Sequence, residues 1–367
     1  MKIVCNGMDL ADALSKVSKA LPIKRTIPIL DGIKLSAYGN TLTLSATDID
    51  FSISKEIKTD IQMEGEVLVN GKLLNEFARK LSTVGQVSLS DINENTLAIS
   101  YDDSIFSIKL MNLAEYPPIQ NVEYDVSFNI LQKDLKELFN QTIFSAATDD
   151  IRPILKGCLI EIAEDKIRCV ALDGYRLAIA TKQLYQKEIN YSAVAPAKSL
   201  SEVAKLLEED EKSVNIKINK NKLYVDLDHT KISTALLSGT FITYASTIPK
   251  GFESQVVINK KMFEEAIERA SIMSKFEKTN LIKIEIKDEK MYITSNSEMG
   301  DAKEIISVKI NGKDMLVGFN AKYISECLKA INDEFIQLDI KSPAAPCVIR
   351  PVETENFLYL ILPVRIK

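Results

Sequence analysis

Apolar residues recur along the chain with a helical period, and the arrangement repeats. They fall at intervals of three and four residues over 9–21, and the same spacing returns over 135–146 and 263–274. An interval of this size places the apolar side chains on one side of an α-helix. Each of the three segments therefore predicts one amphipathic helix.

A second helix repeats more strictly. The segments VNGKLLNEFARKL (69–81), APAKSLSEVAKLL (195–207) and FNAKYISECLKAI (319–331) align residue for residue. Their apolar positions coincide, and so does one lysine in each. Three helix pairs at nearly constant spacing indicate internal triplication. The aligned lysines are Lys72, Lys198 and Lys322.

Between the paired helices, apolar and polar residues alternate around short polar turns. This pattern covers 32–50, 157–175 and 281–298. Alternation of this kind predicts antiparallel β-hairpins. The sequence therefore predicts an α+β fold of three similar units, each about a third of the chain, in the order strand–helix–strands–helix–strands.

The seams between the units contain proline. They lie near 113–125 and 244–254, where Pro residues stand shortly before the next unit begins. Such segments are typical of domain boundaries. The predicted domains are 1–120, 125–247 and 253–367.

Charge divides unevenly between helices and the remainder. The 367 residues carry 46 Lys and Arg against 51 Asp and Glu, a net charge of −5. The six predicted helices with their flanking residues sum to +7 and the rest of the chain to −12, counted over 9–25, 72–82, 133–146, 198–207, 260–275 and 322–332. For any one of these helices taken alone, an ordinary solvent-exposed surface explains the charge. Six together suggest a surface that attracts phosphates without reading bases.

The chain offers little catalytic chemistry. Its one histidine, His229, limits triads and multi-histidine metal sites, and we expect it in a surface turn. The five cysteines include no CxxC and are typical of reduced, buried thiols, which predicts a cytoplasmic protein. No apolar run is long enough for a membrane span. We expect no cofactor, no metal and no membrane contact.

Several stretches resemble the bacterial DNA polymerase III beta subunit, the sliding clamp. They are RTIPIL (25–30), SATDID (45–50), DIRPILKGCLIE (150–161), ALDGYRLA (171–178) and LPVRI (362–366). The resemblance covers the whole chain. It implies three clamp domains per chain and two chains closed head-to-tail into a six-domain ring, with helices lining the hole and sheets outside.

The resemblance also implies a function without catalysis. A homodimeric ring would encircle double-stranded DNA without sequence preference and tether the replicative polymerase, which confers processivity. The clamp loader and other replication and repair proteins would bind through short peptide motifs. Their pocket would lie between the second and third domains. The matching residues are Leu155, Leu172, Gly174, Tyr175, Arg176, Leu177, Ile242, Thr247, Leu360, Leu362, Pro363, Val364 and Arg365.

Two further sets of residues follow from the resemblance. The ring-closing interface would pair Phe106 and Ile108, on an apolar–polar alternating strand, with Ile272 and Met273 at the end of a helix. Pairing of two strand edges would also remove an aggregation hazard. Charge near the duplex is enough for phosphate contact. The candidate DNA-binding residues are Lys24, Arg25, Lys72, Arg79, Lys80, Lys198 and Lys205.

The chain departs from the family pattern along one wall of the pocket. Ile242 and Thr243 stand where the family usually has Pro-Asp, and Ser246 replaces a basic residue. We expect this wall to differ in shape and charge. Two other classes of function remain open from the residues alone. One is a DNA-processing enzyme, a metal-dependent nuclease on a triplicated scaffold, and the other is an adaptor that binds proteins but no nucleic acid.

Overall fold

The structure is a computed structural model that describes residues 1–24, 27–93, 95–118, 123–184, 189–277 and 279–366. Within these residues the chain forms six α-helices, two in each third. Their positions agree with the six helical segments predicted from the sequence. The helices are α1 (Gly7–Val17), α2 (Gly71–Lys80), α3 (Gln132–Asn140), α4 (Ala197–Ala204), α5 (Lys260–Ser274) and α6 (Ala321–Lys329).

The described residues also form 26 strands. The first third contains β1 (Lys2–Cys5), β2 (Gly32–Tyr38), β3 (Thr41–Thr47), β4 (Phe51–Lys58), β5 (Asp60–Met63), β6 (Gly65–Asn70), β7 (Val87–Asn93), β8 (Thr96–Tyr101) and β9 (Ser104–Met111). The middle third contains β10 (Val126–Leu131), β11 (Gly157–Ala163), β12 (Lys166–Leu172), β13 (Arg176–Gln183), β14 (Tyr191–Pro196), β15 (Ser213–Ile218), β16 (Lys222–Leu227) and β17 (Thr230–Ala235). The last third contains β18 (Ser254–Asn259), β19 (Leu281–Lys287), β20 (Lys290–Ser297), β21 (Gly300–Ser307), β22 (Lys309–Gly312), β23 (Met315–Asn320), β24 (Phe335–Ile340), β25 (Cys347–Pro351) and β26 (Phe357–Ile361).

The chain folds as two compact units. Unit 1 contains Met1–Gln132 and Lys205–Leu236, and unit 2 contains Lys133–Ala204 and Leu237–Lys367. Unit 1 holds a 13-stranded sheet in the order β10-β15-β16-β17-β4-β3-β2-β6-β9-β8-β7-β1-β5. Unit 2 holds a nine-stranded sheet, β14-β11-β12-β13-β26-β25-β24-β18-β22, and a four-stranded sheet, β21-β20-β19-β23. The middle third of the sequence therefore divides between the two units because its strands join different sheets.

Four of the helices begin at an asparagine cap. The side chains of Asn6, Asn70, Asn259 and Asn320 each accept a hydrogen bond from a backbone N–H in the first turn, at 2.8–3.1 Å. Such a cap satisfies one donor that the helix itself leaves unpaired and contributes about 1 kcal/mol. All four of these asparagines end or directly follow a strand, so the cap marks where strand becomes helix.

The predicted apolar faces form the core. In unit 2, Phe263 and Ile267 of α5 and Ile324 of α6 are buried with strand residues such as Phe319 and Tyr359. Burial of large side chains removes apolar area from water, which is the main favourable contribution to folding. The three predicted hairpins are also present, as β2–β3, β11–β12 and β19–β20. The α+β prediction is confirmed.

Candidate functional site

Strands from the middle and last thirds of the chain build an apolar floor in unit 2. Leu177 of β13 is the register partner of Leu360 in β26 and of Leu172 in β12. All three side chains are buried in one cluster with Leu155, which comes from a short 3-10 helix at Pro153–Lys156. The structure therefore brings together four residues that the sequence assigned to the peptide pocket.

A tight turn joins β12 to β13 and carries the next three predicted pocket residues. The Asp173 carboxylate accepts hydrogen bonds from the backbone N–H groups of Tyr175 at 2.9 Å and Arg176 at 3.0 Å. Gly174 has a φ of +92°, a conformation that residues with a Cβ rarely adopt. The turn leaves the side chain of Tyr175 62% exposed.

Arg176 is buried and held on several sides. Its guanidinium donates to the Asp173 carboxylate at 3.0 Å, to the Glu326 carboxylate on α6, and to the Phe144 carbonyl oxygen at 2.6 Å. It also lies 4.7 Å from the ring centroid of Tyr323. A buried ion pair is stable only when its hydrogen bonds are complete, as they are here. Arg176 thus holds the turn against α6.

The C-terminal segment is fastened between this turn and β23. The backbone N–H of Leu362 donates to the Tyr175 carbonyl oxygen at 2.9 Å, and that of Val364 donates to the Gly318 carbonyl oxygen at 2.8 Å. A Cβ at position 318 would lie 2.6 Å from the Val364 carbonyl oxygen, so the close approach requires glycine. The half-buried or exposed residues of this segment are Leu362, Pro363, Val364 and Arg365.

Sequence reasoning missed Tyr323, which completes the aromatic part of the site. Its ring lies 6.3 Å from the ring of Tyr175 with an interplanar angle of 22°. The aligned positions in the other two second helices are Leu73 and Ser199. Because these share no aromatic character, the repeat offered no signal for Tyr323.

The segment before the last third forms another wall. Tyr244 is buried, and its hydroxyl donates to the Glu161 carboxylate at 2.5 Å and accepts from Arg168 at 3.4 Å. Burial and the hydrogen bond to Glu161 raise the pKa of Tyr244. Ile242 is half-buried against the apolar cluster of the floor. The exposed residues of this wall are Thr243, Ser246 and Thr247.

These parts have the chemistry of a peptide-binding cleft. Its floor is apolar, the pair of Tyr175 and Tyr323 is aromatic, and the rim is polar. Buried apolar and aromatic groups surrounded by a polar rim are where protein interfaces concentrate their binding energy. The cleft is therefore suited to one or two apolar side chains of a short peptide.

Strand β9 leaves most of one edge unpaired among the described residues. β8 pairs with it along its length, whereas β6 reaches only Leu110 and Met111. The backbone over 104–109 therefore keeps hydrogen-bonding groups available for another strand. Of the two predicted interface residues, Phe106 is 44% exposed and Ile108 is buried.

A second open edge lies in unit 2. β21 is one of the two outer strands of the four-stranded sheet, and α5 packs on it. Ile272 on α5 is 53% exposed, and the nearby Ile305 and Phe276 are also exposed, while Met273 is half-buried. Apolar side chains grouped beside an unpaired strand are typical of an interface.

The basic residues predicted to face DNA are exposed wherever the structure describes them. Apart from Lys205, they have no ion pair among the described residues, whereas Lys329 on α6 lies 3.3 Å from Glu268. The charges of the residues other than Lys205 therefore remain available to phosphates. Arg25 lies outside the described residues. The others are Lys24, Lys72, Arg79, Lys80, Lys198 and Lys205.

Metal-binding clusters and membrane-spanning helices are both absent from the described residues. No cluster of three or more His, Cys, Asp or Glu side chains in the described ranges is arranged to hold a metal ion. The helices seen in those ranges are too short or too polar to cross a membrane. His229 occupies the turn between β16 and β17 with a φ of +61°, which confirms its predicted place in a surface turn.

Three models of one family match consecutive parts of the chain. The N-terminal domain of the DNA polymerase III beta subunit matches residues 1–120, the central domain 129–242, and the C-terminal domain 245–365. The chain belongs to the DNA polymerase III beta subunit family, the bacterial sliding clamps.

Individual clamps agree with this membership. The beta sliding clamps of Bacillus subtilis and Haemophilus influenzae are each 30% identical to the chain, over 378 and 368 residues, and each match covers 100% of both proteins. The crystal structure of a putative DNA polymerase III beta subunit from Eubacterium rectale has a TM-score of 0.94 at 31% identity. That of a Bacillus subtilis sliding clamp has a TM-score of 0.96 at 29% identity, and both matches cover 100% of each chain.

Membership in the clamp family decides between the classes of function that the residues left open. Sliding clamps are processivity factors and do not themselves catalyse a reaction, and the chain is a clamp of this kind. The predicted threefold clamp architecture is confirmed. The nuclease alternative is not supported.

Proposed function

We propose that two copies of this chain close head-to-tail into a ring around duplex DNA. The observation that carries the proposal is the pair of open strand edges, β9 in unit 1 and β21 in unit 2. Because the two edges differ, pairing one with the other joins two chains head-to-tail, and a second pairing of the same kind closes the assembly. Phe106 and Ile108 would meet Ile272 and Met273 there.

DNA would be held by topology and by weak phosphate contacts. This role is supported by five exposed residues that have no ion pair within the described ranges: Lys24, Lys72, Arg79, Lys80 and Lys198. Phosphate contacts position a protein on DNA without conveying sequence, which is what sliding requires. The candidates are the residues predicted from the sequence, with Arg25 included as a prediction only.

The cleft of unit 2 would bind short apolar peptide segments of partner proteins. We assign this role to its predicted residues, with Arg176 holding the Tyr175 turn and Tyr323 added to the surface. The replicative polymerase, the clamp loader and other replication and repair proteins are the proposed partners. A tethered polymerase rebinds its template as an intramolecular event. We further propose domains at 1–120, 125–247 and 253–367 and a cytoplasmic location.

Retention on circular DNA tests the ring. The clamp loader and ATP would place the full-length protein on nicked circular plasmid, and gel filtration would measure the fraction that co-elutes. We expect retention that disappears after a single restriction cut, because a closed ring slides off a free end.

Lys72→Glu/Lys80→Glu should lower loading about tenfold by removing phosphate attraction. Lys58→Glu/Lys220→Glu, an equal charge change on exposed positions elsewhere in unit 1, should leave loading unchanged. Equal retention on circular and linear DNA would overturn the proposal.

Glu326→Gln should weaken peptide binding indirectly, through the turn that carries Tyr175 and not through contact with the peptide. The change removes the charge that Arg176 meets on α6 and loosens the turn that carries Tyr175. We expect the affinity for a fluorescent peptide from the C-terminus of the replicative polymerase to fall about tenfold, or ~1.4 kcal/mol. Fluorescence anisotropy on the full-length protein measures the change.

The matched control is Glu268→Gln, also in unit 2. Glu268 pairs with Lys329 across exposed helix surfaces, and such pairs contribute little. Its peptide affinity should stay within about twofold of the unmodified protein. Equal losses in the two variants would contradict a positioning role for Glu326.

A further inference from the structure

Unit 1 contains a cavity of about 700 Å³ that the ring and the peptide cleft do not use. It lies over β2, β3, β4, β16 and β17, beside the segment that precedes the middle third. Cavities of this size bind ligands as large as short peptides. Its lining is rich in hydroxyl groups, among them Ser36, Thr43 and Ser54.

Strand registers show that this cavity is the internal counterpart of the peptide cleft in unit 2. Leu177 pairs with Leu360 between β13 and β26, one residue beyond the pair of Arg176 and Ile361. Ser52 pairs with Ser233 between β4 and β17, one residue beyond the pair of Phe51 and Thr234. The two serines therefore occupy the places of the two floor leucines. Their hydroxyl oxygens lie 2.6 Å apart.

The next set of cross-strand partners on the same sheet face also differs in polarity between the units. In unit 2 this row of four residues is entirely apolar, and in unit 1 it consists of two serines flanked by two lysines. Cross-strand pairing aligns both rows, so the exchange is position by position. The unit 2 row is Leu159, Val170, Ile179 and Leu358, and the unit 1 row is Lys34, Ser45, Ser54 and Lys231.

One tyrosine hydroxyl beside the cavity lacks a partner. Tyr116 and Tyr224 both line the cavity, and the Tyr224 hydroxyl has no hydrogen-bond partner among the described residues. Tyr244, which stands in the corresponding segment of unit 2, is satisfied by Glu161 and Arg168. Burial raises the pKa of Tyr116 to about 12, and a hydrogen bond from the backbone of Thr47 to its hydroxyl acts in the opposite direction. A buried hydroxyl without a partner is unfavourable and favours a polar ligand.

Three lysines and three carboxylates line the cavity, and Lys217 and Asp226 are the two of these groups without an ion pair among the described residues. Lys34 lies 2.9 Å from the Glu66 carboxylate, which also accepts a hydrogen bond from Ser36 at 2.8 Å. Lys217 lies 5.4 Å from the ring centroid of Tyr124 and has no carboxylate partner in the described part of the chain. Its ammonium group remains free to meet an anionic group of a ligand.

We propose that this cavity is a second peptide site, of opposite polarity to the first. It takes a short hydrophilic peptide whose carboxylate pairs with Lys217 and whose hydrogen-bond donors meet Asp226 and the serine hydroxyls. The proposal rests on the peptide-binding role proposed for unit 2, whose geometry it shares. A leucine entering unit 1 would leave these hydroxyls buried without partners, so the two sites select different peptides.

Affinity selection tests the proposal. Immobilised full-length protein would be exposed to a library of acetylated, amidated pentapeptides built only from Ser, Thr, Asn, Gln, Asp and Glu. We expect enriched sequences that carry a carboxylate. The best of them, synthesised with a fluorescent label, should bind Lys217→Ala about tenfold more weakly than the unmodified protein. Lys220→Ala, which changes an exposed lysine of the same unit outside the cavity, should bind it normally.

Ser52→Leu/Ser233→Leu provides the second variant. It gives unit 1 the floor of unit 2 and should lose the hydrophilic peptide. The labelled polymerase peptide, measured on the same samples, reports folding and the first site. No enrichment on the unmodified protein, or binding that Lys217→Ala leaves unchanged, would overturn the proposal. Failure of the polymerase peptide alone would instead count against the role proposed for unit 2.

Discussion

Deletion of residues 363–367 should abolish partner-peptide binding and leave the two-chain assembly intact. The deletion removes the hydrogen bond from Val364 to Gly318 and one side of the apolar cleft. Truncation of a central group of an interface removes much of its binding energy. We expect the affinity for the labelled polymerase peptide to fall at least about 100-fold, or ~2.7 kcal/mol. Fluorescence anisotropy measures it.

Gly318→Ala is a complementary change that removes no residue of the cleft. Its Cβ would meet the Val364 carbonyl oxygen at 2.6 Å and displace the C-terminal segment. Peptide affinity should fall by an intermediate amount. Light scattering on both variants should still report two chains, because neither change lies on β9 or β21, the two strands assigned to the interface. Undiminished peptide binding by the deletion variant would remove the C-terminus from the site.

Ile272→Glu should split the ring into single chains. The side chain is 53% exposed on α5 beside the open edge of β21. A charge buried there by the partner chain would lose its hydration, which costs several kcal/mol. Light scattering should give the mass of one chain, 41.0 kDa, where the unmodified protein gives twice that value.

The matched control is Met262→Glu on the same helix. Met262 is 48% exposed but lies near the other end of α5. This variant should remain two-chained and should be retained on circular DNA, whereas Ile272→Glu should not. If both variants keep the mass of two chains, the interface assigned to Ile272 is wrong.

The elements of the fold could be predicted because their causes are local. Apolar spacing of three and four residues located all six helices, and alternation located the hairpins. An asparagine cap at four helix starts adds a signal that also lies within a few residues of sequence. The division into two units had no such signal. It depends on which sheet each strand of the middle third joins, and that is decided by pairing over long sequence distances.

For the candidate site, too, the sequence predicted one part and only the structure revealed the other. Its residues were named from a family resemblance, but their roles followed from three-dimensional contacts. Arg176 was assigned to the pocket, yet it is buried against Glu326 and Phe144. Tyr323 lies about 150 residues from Tyr175 along the chain, and only folding places the two rings together.

The sequence by itself determined the triplication and the places of the helices and hairpins, because period is a property of the chain. Only the tertiary structure decided what each repeat exposes. Floor leucines in unit 2 and Ser52 with Ser233 in unit 1 occupy equivalent strand positions. Their equivalence depends on hydrogen-bonded register between strands far apart in sequence, which no local pattern specifies. Repeats of one fold thereby acquire clefts of different polarity.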